Sequence, residues 1–169
     1  LLALLAAFLL LAARSDILKD AATVSDRRPF SLARCQMAWW FFLVLCAYHY
    51  IWMVTGDHNS LTPGVLMLIG ISAATGLGAT MIDTGGGARK SGQDAANGFL
   101  RFANDILREN DGVSFHRFQL AVWTVVLGFV FAISVYKNLS MPDFSATLLG
   151  LMGISSGTYI GFKLPGAGK

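Results

Sequence analysis

Long apolar blocks and short polar ones alternate along this chain. Residues 33–55, 62–82, 115–136 and 144–162 are almost wholly apolar, and short polar turns at 56–61 and 137–143 join them in pairs. Each block has about the 20 residues that an α-helix needs to cross the hydrocarbon core of a bilayer. A shorter apolar run, residues 1–13, precedes them and begins in mid-run without Met, so we expect it to be the end of a further spanning helix that starts upstream. The fold class expected is an all-α membrane protein with four full spans in two helical hairpins, plus part of a preceding transmembrane helix.

The hairpins are copies of one unit. The segment from residue 31 to 78 recurs without insertion 83 residues later, from 114 to 161. Ser31, Arg34, Gln36, Ala38 and Trp40 align with Ser114, Arg117, Gln119, Ala121 and Trp123; Gly70, Ser72, Thr75 and Gly78 align with Gly153, Ser155, Thr158 and Gly161. Weaker likeness reaches further back, where residues 15–20 resemble 104–109. Two hairpins in tandem cross the bilayer in the same sense, so their symmetry axis is expected along the membrane normal, as in parallel-repeat proteins. This divides the chain into 1–30, a partial spanning helix with a polar segment; 31–83, the first hairpin; 84–113, a Gly-rich linker with an interfacial helix; and 114–169, the second hairpin.

In the linker helix, Phe99, Phe102, Ala103, Ile106 and Leu107 recur at helical spacing, with Arg101, Asn104, Asp105 and Arg108 largely opposite. That pattern predicts a helix lying at the membrane surface. Asn110, Asp111 and Gly112 predict a turn after it, and Ser31 and Ser114 stand where each hairpin's first helix needs an N-cap.

Composition agrees with the membrane class: 54% of residues are hydrophobic and 14% charged, against roughly a quarter charged in a soluble domain. The net charge of +3 would fit nucleic acid, but its placement argues for topology instead. Twelve of the 13 Lys and Arg residues flank one set of helix ends, and only Lys137 falls at the other. By the positive-inside rule the basic loops and the C-terminus are expected in the cytoplasm, with a bacterial inner membrane as the setting. No nucleic-acid partner is expected; membrane lipids, including anionic headgroups, are. A signal-peptide reading of 1–13 fails, because cleavage there would leave five basic residues outside.

Chemistry-bearing motifs are scarce. The four blocks hold no Asp, Glu, Lys or Arg between their interfacial ends, whereas ion-coupled carriers place such groups at membrane depth. Asp57 and His58 are too few for a metal site. Residues 85–91 lack the Gly that a phosphate-binding loop places before its Lys, and they read as linker. Cys35 and Cys46, on one helix, are too far apart to pair. No catalytic residue, cofactor or metal is expected.

What remains is a ladder of small residues. Gly153, Gly157 and Gly161 form GxxxGxxxG, and Gly70, Ala74 and Gly78 match it in the first copy. In lipid, where apolar surface gains little by leaving the solvent, close backbone approach over small residues drives helix association. Ser72, Thr75, Ser155 and Thr158 lie on adjacent faces, where they serve either helix packing or the lining of a pore. Arg34, Gln36, Arg117 and Gln119 mark the basic edge, for contact with lipid phosphates or with an anion. The expected function is a non-catalytic membrane subunit that oligomerises or anchors a larger membrane complex. The alternative is a passive oligomeric channel lined by the Gly/Ser/Thr-rich helices.

Overall fold

A computed structural model describes residues 18–19, 29–84, 98–109 and 112–164. The apolar run 1–13, the Gly-rich part of the linker and the last five residues lie outside them. The described residues are helical apart from their connections: α1 (Leu32–Thr55), α2 (Pro63–Thr84), α3 (Gly98–Leu107), a pair of two-residue strands β1 (Arg108–Glu109) and β2 (Gly112–Val113), α4 (Phe115–Asn138) and α5 (Ala146–Lys163). Three helices are long and apolar enough to cross a membrane: Leu32–Thr55, Pro63–Ile82 and Phe115–Asn138. The fourth expected span, α5, is not among them. It has 18 residues, ends on Lys163 and is diluted by Thr147, Ser155, Ser156 and Thr158.

The helix ends follow from local chemistry. α1 stops at Gly56, left-handed at φ 72°, whose N–H donates to the Trp52 carbonyl. α4 stops in the same way at Leu139, φ 49°, which donates to Val135. Glycine holds that conformation freely, whereas a Leu there strains the backbone. At the other ends of these helices Ser31 and Ser114 have the extended backbone of an N-cap, but neither hydroxyl caps its helix. The Ser114 Oγ lies 2.8 Å from a His116 ring nitrogen instead, and Ser31 Oγ is buried with no hydrogen-bond partner among the described residues.

The four long helices pack side by side in a closed ring, α1 on α2, α2 on α5, α5 on α4 and α4 on α1, while α3 lies against α4 and α1. At the end holding residues 56–62 and 139–145, the two hairpins are clasped. Thr62 caps α2 by accepting from Val65 N–H at 3.3 Å and donates to the Pro142 carbonyl at 3.0 Å. Asp143 Oδ1 then accepts from Gly64 N–H at 3.0 Å, a carboxylate on the positive end of a helix dipole. The approach needs glycine: a Cβ at Gly64 would stand 2.6 Å from both Asp143 Oδ1 and the Phe144 nitrogen.

The ring's interior is filled. Trp40, Leu68, Leu120, Phe131 and Met152 are buried. Trp40 of α1 meets Phe131 of α4 edge-on at 6.3 Å and Phe144 at 6.5 Å, with Phe131 and Phe144 stacked at 6.2 Å. Outside, Phe41, Met67, Phe129 and Ile154 are each about two thirds exposed, an apolar exterior that fits lipid rather than water.

Candidate functional site

The expected basic-edge residues lie together at one end of the ring, yet the two arginines differ. Arg34 is half-buried, whereas Arg117 is 2% exposed. Arg117 Nη1 donates to the carbonyls of Ile106 at 3.1 Å and Asp105 at 3.5 Å, and its guanidinium lies 5.4 Å from the Tyr159 ring centre. Its charge thus faces the unsatisfied carbonyls at the C-terminus of α3 and the face of an aromatic ring. In this position it ties α3, α4 and α5 together. Lys163 covers the same Tyr159 ring at 5.9 Å, and His116 stacks on Phe162 at 4.7 Å.

Asp105 departs from the helical pattern, which sets it on the polar face of α3. It is buried, and its Oδ2 accepts from the Phe30 N–H at 3.3 Å. Phe30 packs edge-on against Phe102 at 5.2 Å. These contacts dock the segment before α1 onto α3 and enclose the carboxylate, which periodicity within α3 alone does not register.

Arg117 and Arg34 therefore answer differently to Arg→Lys. A lysine keeps the charge but loses the planar fork, so Arg117→Lys is expected to cost about 1.5–3 kcal/mol, the range for hydrogen bonds to charged groups. Arg34→Lys is expected to stay within about 0.5 kcal/mol. Thermal unfolding of the two variants in one detergent checks the difference; equal losses would contradict it.

The glutamines point inward. Gln36 is buried with its Nε2 3.9 Å from Met152 Sδ, and Gln119 Nε2 donates to Ser155 Oγ at 3.3 Å. Ser72, Thr75 and Ser155 are buried; Thr158 is half-buried. Ser72, Thr75 and Thr158 donate to carbonyls of their own helices, Ile69, Ile71 and Ile154, at 2.7–2.9 Å. Hydroxyls satisfied in this way ask for no water.

The small residues are turned the other way. Gly70, Ala74 and Gly157 are exposed, and Gly153 and Gly161 half-buried. A Cβ built at Gly70, Gly153, Gly157 or Gly161 meets nothing within 4 Å. Of the ladder's glycines only Gly78 is approached by a neighbouring helix, with Ile160 Cδ1 at 3.1 Å. Among the described residues, then, α2 and α5 meet through the ladder only at Gly78, and α5 presents a row of bare backbone to its surroundings.

Sequence reasoning missed the Trp40–Phe131–Phe144 cluster, the Asp143 clasp and the inward turn of Arg117. Only the clasp left a local signal, since Thr62–Pro63 is a favoured way to start a helix. Among the described residues no group of three or more His, Cys, Asp or Glu is placed to hold a metal. Compared with protein families, curated proteins and solved structures, the chain gives no match.

Proposed function

We propose that this chain is a non-catalytic integral membrane subunit that oligomerises, or anchors a larger membrane complex, through its small-residue helices. The observation that carries the reading is the row Gly153, Gly157 and Gly161 on α5, whose Cβ positions are open to 4 Å. In a bilayer such a row is a seam where another helix gains van der Waals contact that lipid tails fill less well.

Several matched features support reading the hairpins as tandem repeats of one unit with four spans. α1 and α4 each have 24 residues. The Ser31 N–H donates to the Leu18 carbonyl at 2.8 Å, and Ser114, its counterpart, donates to Leu107 at 3.0 Å. Lys19 pairs with Phe30 as Arg108 pairs with Val113. Gly56 and Leu139, both left-handed, are 83 positions apart, the same offset as the sequence repeat.

The distribution of Lys and Arg supports a cytoplasmic basic end. In intact cells an impermeant maleimide should label Ser60→Cys and spare Ser91→Cys, both in a background without Cys35 and Cys46. Labelling confined to Ser91→Cys would reverse the orientation. Arg34 is the better placed arginine for anionic headgroups, since Arg117 is engaged inside the fold.

A passive channel is the second reading, favoured by Gln36 Oε1 and Ser156 Oγ, which are buried without hydrogen-bond partners among the described residues. It ranks below because Trp40, Leu68, Phe131 and Met152 fill the ring. Planar-bilayer recording separates the two: we expect no reproducible current from the wild-type protein. A current whose ion selectivity reverses on Arg34→Glu with Arg117→Glu would establish the channel and displace the scaffold.

A further inference from the structure

The two hairpins meet without reciprocity. α1 packs on α4, and α2 on α5. In the second pair, Ile160 Cδ1 of α5 stands 3.1 Å from a Cβ built at Gly78 of α2. In the first, Trp39 Nε1 of α1 stands 2.8 Å from a Cβ built at Gly128 of α4. A two-fold axis between the hairpins would make each contact occur twice, the second time with the partners exchanged. At the offset of the sequence repeat, Gly78 and Ile160 correspond to Gly161 and Leu77. Those two stay apart: a Cβ at Gly161 meets nothing within 4 Å, and Leu77 is 64% exposed. Trp39 and Gly128 correspond in the same way to Val122 and Leu45, and Val122 is 40% exposed.

The second hairpin is therefore set beside the first by a step, not by a half-turn, and a step leaves two unlike flanks. The flank of the second hairpin offers Gly161 and Val122. The flank of the first offers Leu77 and Leu45. Each carries one half of a contact that the chain already makes within itself.

We propose that these flanks join copies of this chain head to tail, Leu77 of one copy seating on Gly161 of the next as Ile160 seats on Gly78. The proposal rests on the reading of the hairpins as repeats and of the small-residue helices as the site of assembly, and it names the partner as a second copy. Continuity with the internal interface argues for that occupant. Leu and Ile are isomers, and both stand opposite a glycine, so the α2–α5 contact repeats with its volume kept. Beside it, Val122 is smaller than Trp39 while Leu45 is larger than Gly128, and the two changes offset one another.

The clasp at the other end does not repeat. Thr147 stands where the first hairpin has Gly64, and Ser60 where the second has Asp143. Since a Cβ at Gly64 would lie 2.6 Å from Asp143 Oδ1, the same approach has no room for a threonine. The joint between copies is thus held in the basic half of the helices, where the two repeats are most alike. A step taken repeatedly builds a row of chains, closed into a ring where its rotation completes a turn.

Thiol cross-linking tests the joint on the full chain in its membrane, in a background carrying Cys35→Ser and Cys46→Ser. The double variant Leu77→Cys, Gly161→Cys holds both halves of the contact, and the intrachain pair Gly78→Cys, Ile160→Cys fixes the yield that this geometry gives. On oxidation the double variant is expected to form a ladder of dimers, trimers and longer products, because each copy meets two neighbours. Leu77→Cys alone and Gly161→Cys alone should stay monomer-sized, and the two co-expressed should stop at dimers. Dimers from either single variant without that ladder would overturn the head-to-tail joint in favour of a two-fold one. No interchain product under conditions that join the intrachain pair would overturn it as well. Wild-type detergent particles of more than one chain would in that case leave the proposed subunit role standing, and single-chain particles would overturn both.

Discussion

Replacing Trp40 by Ala is expected to give the largest loss of stability of any single truncation in this chain. Trp40 is fully buried and meets both Phe131 and Phe144, so it joins α1, α4 and the entrance to α5. In water-soluble proteins a Trp→Ala change in a core costs about 3–5 kcal/mol, part of it lost transfer energy and part the cavity left behind. In lipid the transfer part shrinks, because the surroundings are as apolar as the interior. The cavity part remains, since the facing rings lose their dispersion partners. We therefore expect about 3 kcal/mol, at the lower end of that range. The Trp40 Nε1–H has no acceptor among the described residues, so Trp40→Phe should recover most of the loss. Thermal unfolding in one detergent checks both; a Trp40→Ala protein that melts within a degree of the wild type would show that the aromatic cluster does not hold the ring together.

The helices were legible in the sequence, and the way they pack was not. Expected spans 33–55, 62–82 and 115–136 meet helices Leu32–Thr55, Pro63–Thr84 and Phe115–Asn138, which are long and apolar enough to cross a membrane, whereas 144–162 meets a helix, Ala146–Lys163, that is not among those. Length and apolarity alone set those limits, because a backbone in lipid must satisfy its own hydrogen bonds. The inward faces left no such trace. In a soluble helix the polar stripe points outward; here Phe41 and Met53 face out while Gln36 and Ser72 face in. With apolar side chains on both sides, periodicity carries no sign.

The basic edge shows the same gap. Arg34 and Arg117 occupy matching places in the repeat and read alike, but only Arg117 has a described helix C-terminus to hold, because α3 docks beside it. Asp105 is held by Phe30, a residue from the far side of the first hairpin, 75 positions earlier. Both environments are made by docking between distant segments, which no local pattern encodes. The small-residue ladder was legible as a pattern, yet that Gly70, Gly153, Gly157 and Gly161 meet no neighbour among the described residues depended on coordinates.

The second large effect is on assembly. Gly157 sits exposed at the middle of the row on α5, and a Cβ there meets nothing. Gly157→Leu should therefore leave the single chain's fold intact. Its helix should even gain, since Leu exceeds Gly in helix propensity by up to about 1 kcal/mol. Between chains the same side chain would force two backbones apart and remove the close approach on which a small-residue seam depends. Stability within the chain and assembly between chains are thus predicted to move in opposite directions. The measurement that tests this is the mass of the protein particle released in mild detergent, wild type beside Gly157→Leu, with helix content followed by circular dichroism. We expect wild-type particles of more than one chain and Gly157→Leu particles of a single chain with unchanged helix content; wild-type and variant particles of equal mass would contradict the proposed seam.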